Sequence, residues 1–292
     1  MSHTDHHHHH HALNTAFWLT AAFAVVELVG GLMANSLALL ADAGHMISDV
    51  AALGLAMFAR CIAERPAHAQ MTYGYGRARV LAAQVNGLML WCLSGWIVWE
   101  AAGRLASPPS VQGGMVLWIA VIGLIINLVI MRWLHGSHDI NTRAAYWHVL
   151  GDALGSVAAI IAGGVILLTG WMPIDPVLSF VVAGILAWGG WRLVRETTME
   201  LMEAVPHELE LDVIAQIMQN VDGVSGMHHV HLWRLPTGQM AISAHIQIDN
   251  MERWTTLLPV LIATLNHQRI EHATLQPEVA GSSGACPVAD AT

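Results

Sequence analysis

Six stretches of the chain are apolar over about the twenty residues that a helix needs to cross a bilayer. They run over 14–34, 37–60, 80–103, 113–134, 144–169 and 175–196. Helix breakers and short polar joints separate them: Asn35-Ser36, Pro66 with its polar neighbours, Ser107-Pro-Pro-Ser110, His135-Gly-Ser-His-Asp139, and Trp171-Met-Pro-Ile-Asp-Pro176. From Pro206 onward the hydropathy falls and the period changes. Glu208 to Gln219 reads as an amphipathic helix, His228 to Leu235 and Met240 to Asp249 as alternating strands joined by Pro236-Thr-Gly-Gln239, Glu252 to Asn266 as a helix, and Ile270 to Gln276 as a last strand. The fold class predicted is an α-helical membrane protein, a six-helix transmembrane bundle followed by a small α+β domain. The domains expected are a His-rich tail over 1–12, the bundle over 13–200, the α+β domain over 205–279 and a disordered tail over 280–292.

Composition supports a membrane chain with a soluble part. The 292 residues are 55% hydrophobic and only 11% charged, against about 25% charged in a soluble domain. All twelve basic residues are arginine, and their placement sets the orientation. Arg60, Arg65, Arg77 and Arg79 flank the second joint, Arg132 and Arg143 the fourth, and Arg192 and Arg195 follow the sixth helix, while the alternate joints carry only Arg104. By the positive-inside rule both termini of this multi-pass chain are cytoplasmic. The net charge of −9 lies largely beyond the bundle, and no basic cluster points to nucleic acid. Cys61, Cys92 and Cys286 share no metal-type spacing, and Cys92 reads as a small core residue. Residues 1–11 hold seven histidines, a run that fits either an expression tag or a native metal-collecting tail. No signal peptide is visible, since the first apolar run lacks a basic leader and continues too far.

Chemistry concentrates inside the apolar segments. In Leu40-Ala-Asp-Ala-Gly-His-Met-Ile-Ser-Asp49, His45 and Asp49 stand at i and i+4, one turn apart on the same helix face. The same spacing returns with His148 and Asp152 in the fifth segment. A single histidine in an apolar helix is more often a hydrogen-bonded packing residue than a ligand. An unpaired charge inside a membrane, however, costs ~2.5–3.5 kcal/mol even on lenient scales, and here the motif is repeated. Two imidazole nitrogens and two carboxylate oxygens suit a tetrahedral Zn²⁺. Hydropathy alone puts His148 only a turn into its segment, so either the fifth helix starts earlier or the site opens through a vestibule. Gly44, Gly151 and Gly155 beside these residues predict close helix approach.

The stretches 40–49, Thr72-Tyr-Gly-Tyr-Gly-Arg77, His148-Val-Leu-Gly-Asp-Ala-Leu-Gly-Ser156 and His228-His-Val-His-Leu-Trp233 resemble the cation diffusion facilitators, especially their bacterial zinc-exporting branch, over residues 13–278. The resemblance implies a homodimeric metal/proton antiporter with a ferredoxin-like cytoplasmic domain, exporting Zn²⁺ from the cytoplasm by alternating access. It maps the transport ligands onto His45, Asp49, His148 and Asp152. It also associates two histidines and two aspartates with a preference for zinc, and an aspartate in the first position with wider acceptance of cadmium. Physical chemistry supports the coupling independently, because neutral imidazole and ionised carboxylate bind either a metal or a proton with the same lone pairs.

Other polar residues carry weaker expectations. Asp42, at i−3 from His45, and Glu27 are candidates for a proton relay, against structural hydrogen bonds as the bland alternative. Gln84, Asn86 and Asn127 read as interhelical hydrogen bonders, and Trp171 and Trp191 as interfacial residues. His68 matches a loop position that binds metal in several family members, but Met71 and Tyr75 stand where further histidines would be expected. In the α+β domain the family pattern points to a regulatory metal held by His228, His245 and Glu278, with a polar sheet face as the alternative. His231 could replace one of them only if its strand is bulged. Two other classes of function compete with transport. An intramembrane zinc enzyme would need a general base such as the glutamate of His-Glu-x-x-His, which is absent. A membrane-anchored zinc sensor leaves four costly polar residues in the bilayer without a purpose. The protein is therefore expected not to be an enzyme.

Overall fold

The computed structural model describes residues 5–134 and 140–279; the tails 1–4 and 280–292, and the side chains of 5–17, 134, 140–145, Trp147 and His148, lie outside the described set. The elements are α1 (Asp5–Ala34), α2 (Leu37–Ala63), α3 (Ala78–Ala106), α4 (Gly113–Leu134), α5 (Ile140–Thr169), α6 (Ile174–Leu201), α7 (Leu211–Gln219), β1 (Val224–Arg234), β2 (Met240–Ile248), α8 (Trp254–His267) and β3 (Ile270–Val279). Helices α2 to α6 each contain a span long and apolar enough to cross a membrane, and the apolar part of α1 described in full, Trp18–Ala34, is a shorter one. The chain forms two compact units, Met1–Met57 with Ala83–Val194, and Phe58–Ala82 with Arg195–Thr292.

In the first unit, large apolar side chains such as Trp99, Trp118, Leu168 and Trp188 point outward. Hydrocarbon around a bundle is as apolar as leucine, so helix association has to come from close packing and polar contacts. Two glycine contacts supply the close packing. A β-carbon on Gly163 of α5 would lie 2.8 Å from the backbone nitrogen of Leu117 in α4, and one on Gly190 of α6 would lie 2.9 Å from the Gly87 carbonyl oxygen in α3. Phe23, Ala24, Leu39, Met46, Val116, Ile119, Ala120, Ala159 and Ile166 fill the space among α1, α2, α4 and α5. Ala41, Leu90, Ile97, Ala183 and Leu186 join α2 to α3 and α6.

Three helix-level expectations change. Helix α5 begins at Ile140, two turns before His148, because polar residues such as Asn141 and Arg143 lower the hydropathy without breaking the helix. Gly151 is exposed and a β-carbon there would meet nothing within 4 Å, so it permits no close approach. Cys92 is exposed rather than a core residue.

The start of α2 is set by a residue from another helix. Asn35 takes a left-handed conformation (φ 55°) that ends α1, and the first amides of α2 need acceptors. Asp175, in the first turn of α6 and fully buried, supplies them. Its carboxylate accepts from the Ser36 hydroxyl at 2.5 Å, the Leu37 amide at 2.7 Å and the Ala38 amide at 3.3 Å. A carboxylate at a helix N-terminus also complements the helix dipole.

In the second unit β1 and β2 pair antiparallel, and β3 lies parallel to β2 with α8 as the crossover, giving the order β1-β2-β3. Ile214, Met218, Leu257, Leu261 and Leu265 of α7 and α8 pack on Leu232, Ile242, Ala244, Ile246, Ile248 and Ile270. Because side chains alternate across a strand, Ser243, His245 and Gln247 of β2 stand on the opposite face. This is the α+β domain expected, with strands β1 and β3 longer than their hydropathy indicated.

Candidate metal centres

The first candidate centre lies in the helical unit. His45 Nδ1 and Asp49 Oδ2 of α2 are 3.4 Å apart and both side chains are about a quarter exposed, so the i, i+4 spacing does bring them together. Asp152 of α5 is almost wholly buried. The helices carrying these residues meet where the Asp42 carboxylate of α2 is seated over Gly155 of α5: a β-carbon on Gly155 would be 2.7 Å from Asp42 Oδ1. A β-carbon on Gly155 would displace the Asp42 carboxylate, and one on Gly44 would press on the end of the Leu93 side chain of α3, 3.0 Å away. The side chain of His148 lies outside the described residues, though its backbone is helical.

Glu27 of α1 and Asp42 are both buried. Asn127 is buried as well. Ser156 Oγ and Glu27 Oε2 are buried without a hydrogen-bond partner among the described residues. The unit thus holds buried polar groups on α1, α2, α4 and α5, in surroundings that make each such group costly unless it serves a path for ions. Trp191 stacks on Trp91, with ring centres 5.4 Å apart, so its position serves α3–α6 packing.

The second candidate centre is on the uncovered face of the sheet. His228 stands opposite His245 in the β1–β2 ladder, and Glu278 extends from the end of β3. Glu278 Oε2 is 3.2 Å from His228 Nε2, and Glu278 Oε1 accepts a hydrogen bond from His245 Nδ1 at 2.6 Å. Among the described residues these three form a group with one ligand atom each, all within 4.8 Å of one another. Two neutral imidazoles and a carboxylate are a natural donor set for Zn²⁺.

The bulge that His231 would need is present. The ladder shifts register between His228 and His231, so that His231 faces Ser243 and lies on the same side as His228. The residue this bulge carries into the cluster is nevertheless His229. Its φ of 48° is left-handed, and its ring centre lies 5.3 Å from that of His228 and 5.2 Å from that of His245. Simple strand alternation places His229 on the wrong face, and nothing in the sequence but the doubled histidine signals otherwise.

His68 is held within its own loop. Its Nε2 is 2.8 Å from the Tyr75 hydroxyl and its Nδ1 accepts from the Gln70 amide at 3.3 Å. Among the described residues it belongs to no group of three or more His, Cys, Asp or Glu side chains that could share a metal.

The comparisons with known proteins agree with this architecture. Residues 13–202 match the family described as the cation efflux transmembrane domain, and residues 206–261 match the cation efflux protein, cytoplasmic domain. The chain is 43% identical over 283 residues to the zinc transporter ZitB of Pectobacterium atrosepticum, covering 95% of this chain and 88% of that protein. It is 35% identical over 274 residues to the cadmium, cobalt and zinc/H(+)-K(+) antiporter of Bacillus subtilis, covering 91% and 88%. Among solved structures, the metal-bound C-terminal domain of the CzcD transporter from Cupriavidus metallidurans aligns with 24% of this chain and 99% of its own length, at 26% identity and a TM-score of 0.23. The chain belongs to the cation efflux family, a family of membrane transporters and not of enzymes.

Proposed function

We propose that this chain exports Zn²⁺ from the cytoplasm in exchange for protons, by alternating access around His45, Asp49, His148 and Asp152, and that it does so as a homodimer in the inner membrane with both termini cytoplasmic. The observation that carries the reading is the seat of Asp42 on Gly155. Helices that cross in alternating sense make α2 and α5 antiparallel. One turn from that contact, three residues on in α2 and three back in α5, His45 comes level with Asp152; a further turn brings Asp49 level with His148. Each His position is then level with an Asp position of the other helix, a four-donor set for one tetrahedral ion.

Coupling follows from the donors. Zn²⁺ displaces protons when it binds imidazole and carboxylate, and protonation of the same groups from the outer side expels it. Glu27 and Asp42 would give those protons a route, since both are buried carboxylates of the same helical unit and Asp42 sits against Gly155, three residues from Asp152. The relatives named as zinc transporter and as zinc/H(+)-K(+) antiporter support both cargo and exchange.

On the sheet face, His228, His245 and Glu278 would hold a regulatory Zn²⁺. The proton now shared between His245 and Glu278 is the one that metal would displace. An added +2 charge there offsets repulsion between two acidic soluble domains and draws them together, which links cytoplasmic zinc to transport. Proteoliposomes containing a pH-sensitive dye test the central claim. Zinc addition is expected to drive proton movement in the opposite direction, and His148→Ala to abolish it; undiminished flux in that variant overturns the reading.

A further inference from the structure

The three rings of His228, His229 and His245 form a nearly equilateral triangle, with centre-to-centre distances of 5.3, 5.2 and 5.2 Å. That spacing has a chemical meaning. A zinc ion ~2.0–2.1 Å from an imidazole nitrogen, with the ring centre ~1.1 Å beyond, lies ~3.2 Å from each ring centre, and tetrahedral directions then separate the centres by ~5.2 Å. Ordinary ring packing spans ~4.5–7 Å as well, so the spacing is compatible with a shared ion and the backbone has to carry the choice. We propose that His229 is a fourth ligand of the cytoplasmic centre, making it a closed site of three imidazoles and one carboxylate rather than an open site of three donors and water.

This inference rests on the reading of His228, His245 and Glu278 as a metal site. The backbone supplies the second argument. An L-residue at positive φ is strained unless something holds it, and the bulge spends one such residue to move His229 from one face of the sheet to the cluster. Its nitrogens are not among the donor atoms already gathered within 4.8 Å, so its ring turns about its side-chain torsions as metal enters. A closed four-ligand site holds Zn²⁺ as a resident ion, suited to sensing the metal rather than passing it on.

Cobalt titration of the full-length protein, followed by the visible absorption of four-coordinate Co²⁺, tests the assignment. The N-terminal histidine tract contributes equally to every variant and cancels in the differences. All variants carry His45→Ala, so that the intramembrane centre does not dominate the signal. Against that background His229→Asn is expected to weaken cobalt binding at the cytoplasmic centre by at least the ~10–100-fold that loss of a ligand's supporting partner costs. Asparagine tolerates positive φ, so the bulge is retained, and His229→Cys, which restores a donor, is expected to recover the signal. If His245→Ala removes the signal while His229→Asn leaves the affinity unchanged, the fourth-ligand assignment is overturned and the three-residue site stands. If neither substitution has an effect, the site and the assignment both fall.

Discussion

His45 and Asp49 share a helix face because they are four residues apart, whereas His228, His245 and Glu278 come from three strands and meet only through strand pairing. The first centre is encoded in spacing, and its cost in a bilayer makes each member conspicuous. The second is encoded in register, with exposed polar residues that water would tolerate anyway. On the proposed reading, the donors that release an ion are split between two helices. On the same reading, the donors that keep one stand on paired strands.

The sharpest way to break this contrast is to remove a helix ligand. Asp152→Asn should reduce zinc-driven proton flux in proteoliposomes to the protein-free background, while His45→Asp should retain transport and extend it to cadmium. Unchanged zinc selectivity in the second variant would detach the first donor position from metal choice. Asp175→Ala should come next in size. It leaves the Ser36 hydroxyl and two α2 amides without their buried acceptor, which should lower stability by about 1–3 kcal/mol, read as a lower melting temperature in detergent.

On the sheet, removing His245 should leave the exporter able to turn over at saturating zinc. His245→Ala is expected to raise the zinc concentration for half-maximal flux by roughly 5-fold, the lower end of ordinary coupling between sites, and to abolish zinc-dependent compaction of the dimer in solution scattering. Smaller still is the pH response of the Glu208 contact with Arg234. A hydrogen bond from its own backbone, and then Arg234, hold the Glu208 carboxyl below the usual carboxylate range. A lowered value in the folded state means that the contribution is complete above the unfolded value of ~4.3 and fades as pH falls below it. For so exposed a pair it should stay under about 1 kcal/mol, measured as the difference between wild type and Glu208→Gln in denaturant titrations at neutral pH and at pH 3.

Legibility followed the same divide. The apolar segments and the His-x-x-x-Asp pairs were visible because helix geometry turns a fixed spacing into a fixed face. The early start of α5 was hidden by its polar first residues. Asp175 was passed over as a joint residue, since a cap supplied by another helix leaves no local pattern. His228, His245 and Glu278 were reached through resemblance. His229 was misplaced because strand alternation holds only while the ladder is unbroken, and the left-handed backbone that breaks it is not written in any single residue type.

Counting bound metal tests the central claim most directly. In protein carrying His228→Ala, His229→Ala and His245→Ala, with the N-terminal histidine tract replaced by serine, one zinc ion per protomer should remain after desalting and disappear when His148→Ala is added. Zinc retained undiminished in that last protein would contradict the sharing of a single ion by the four intramembrane residues.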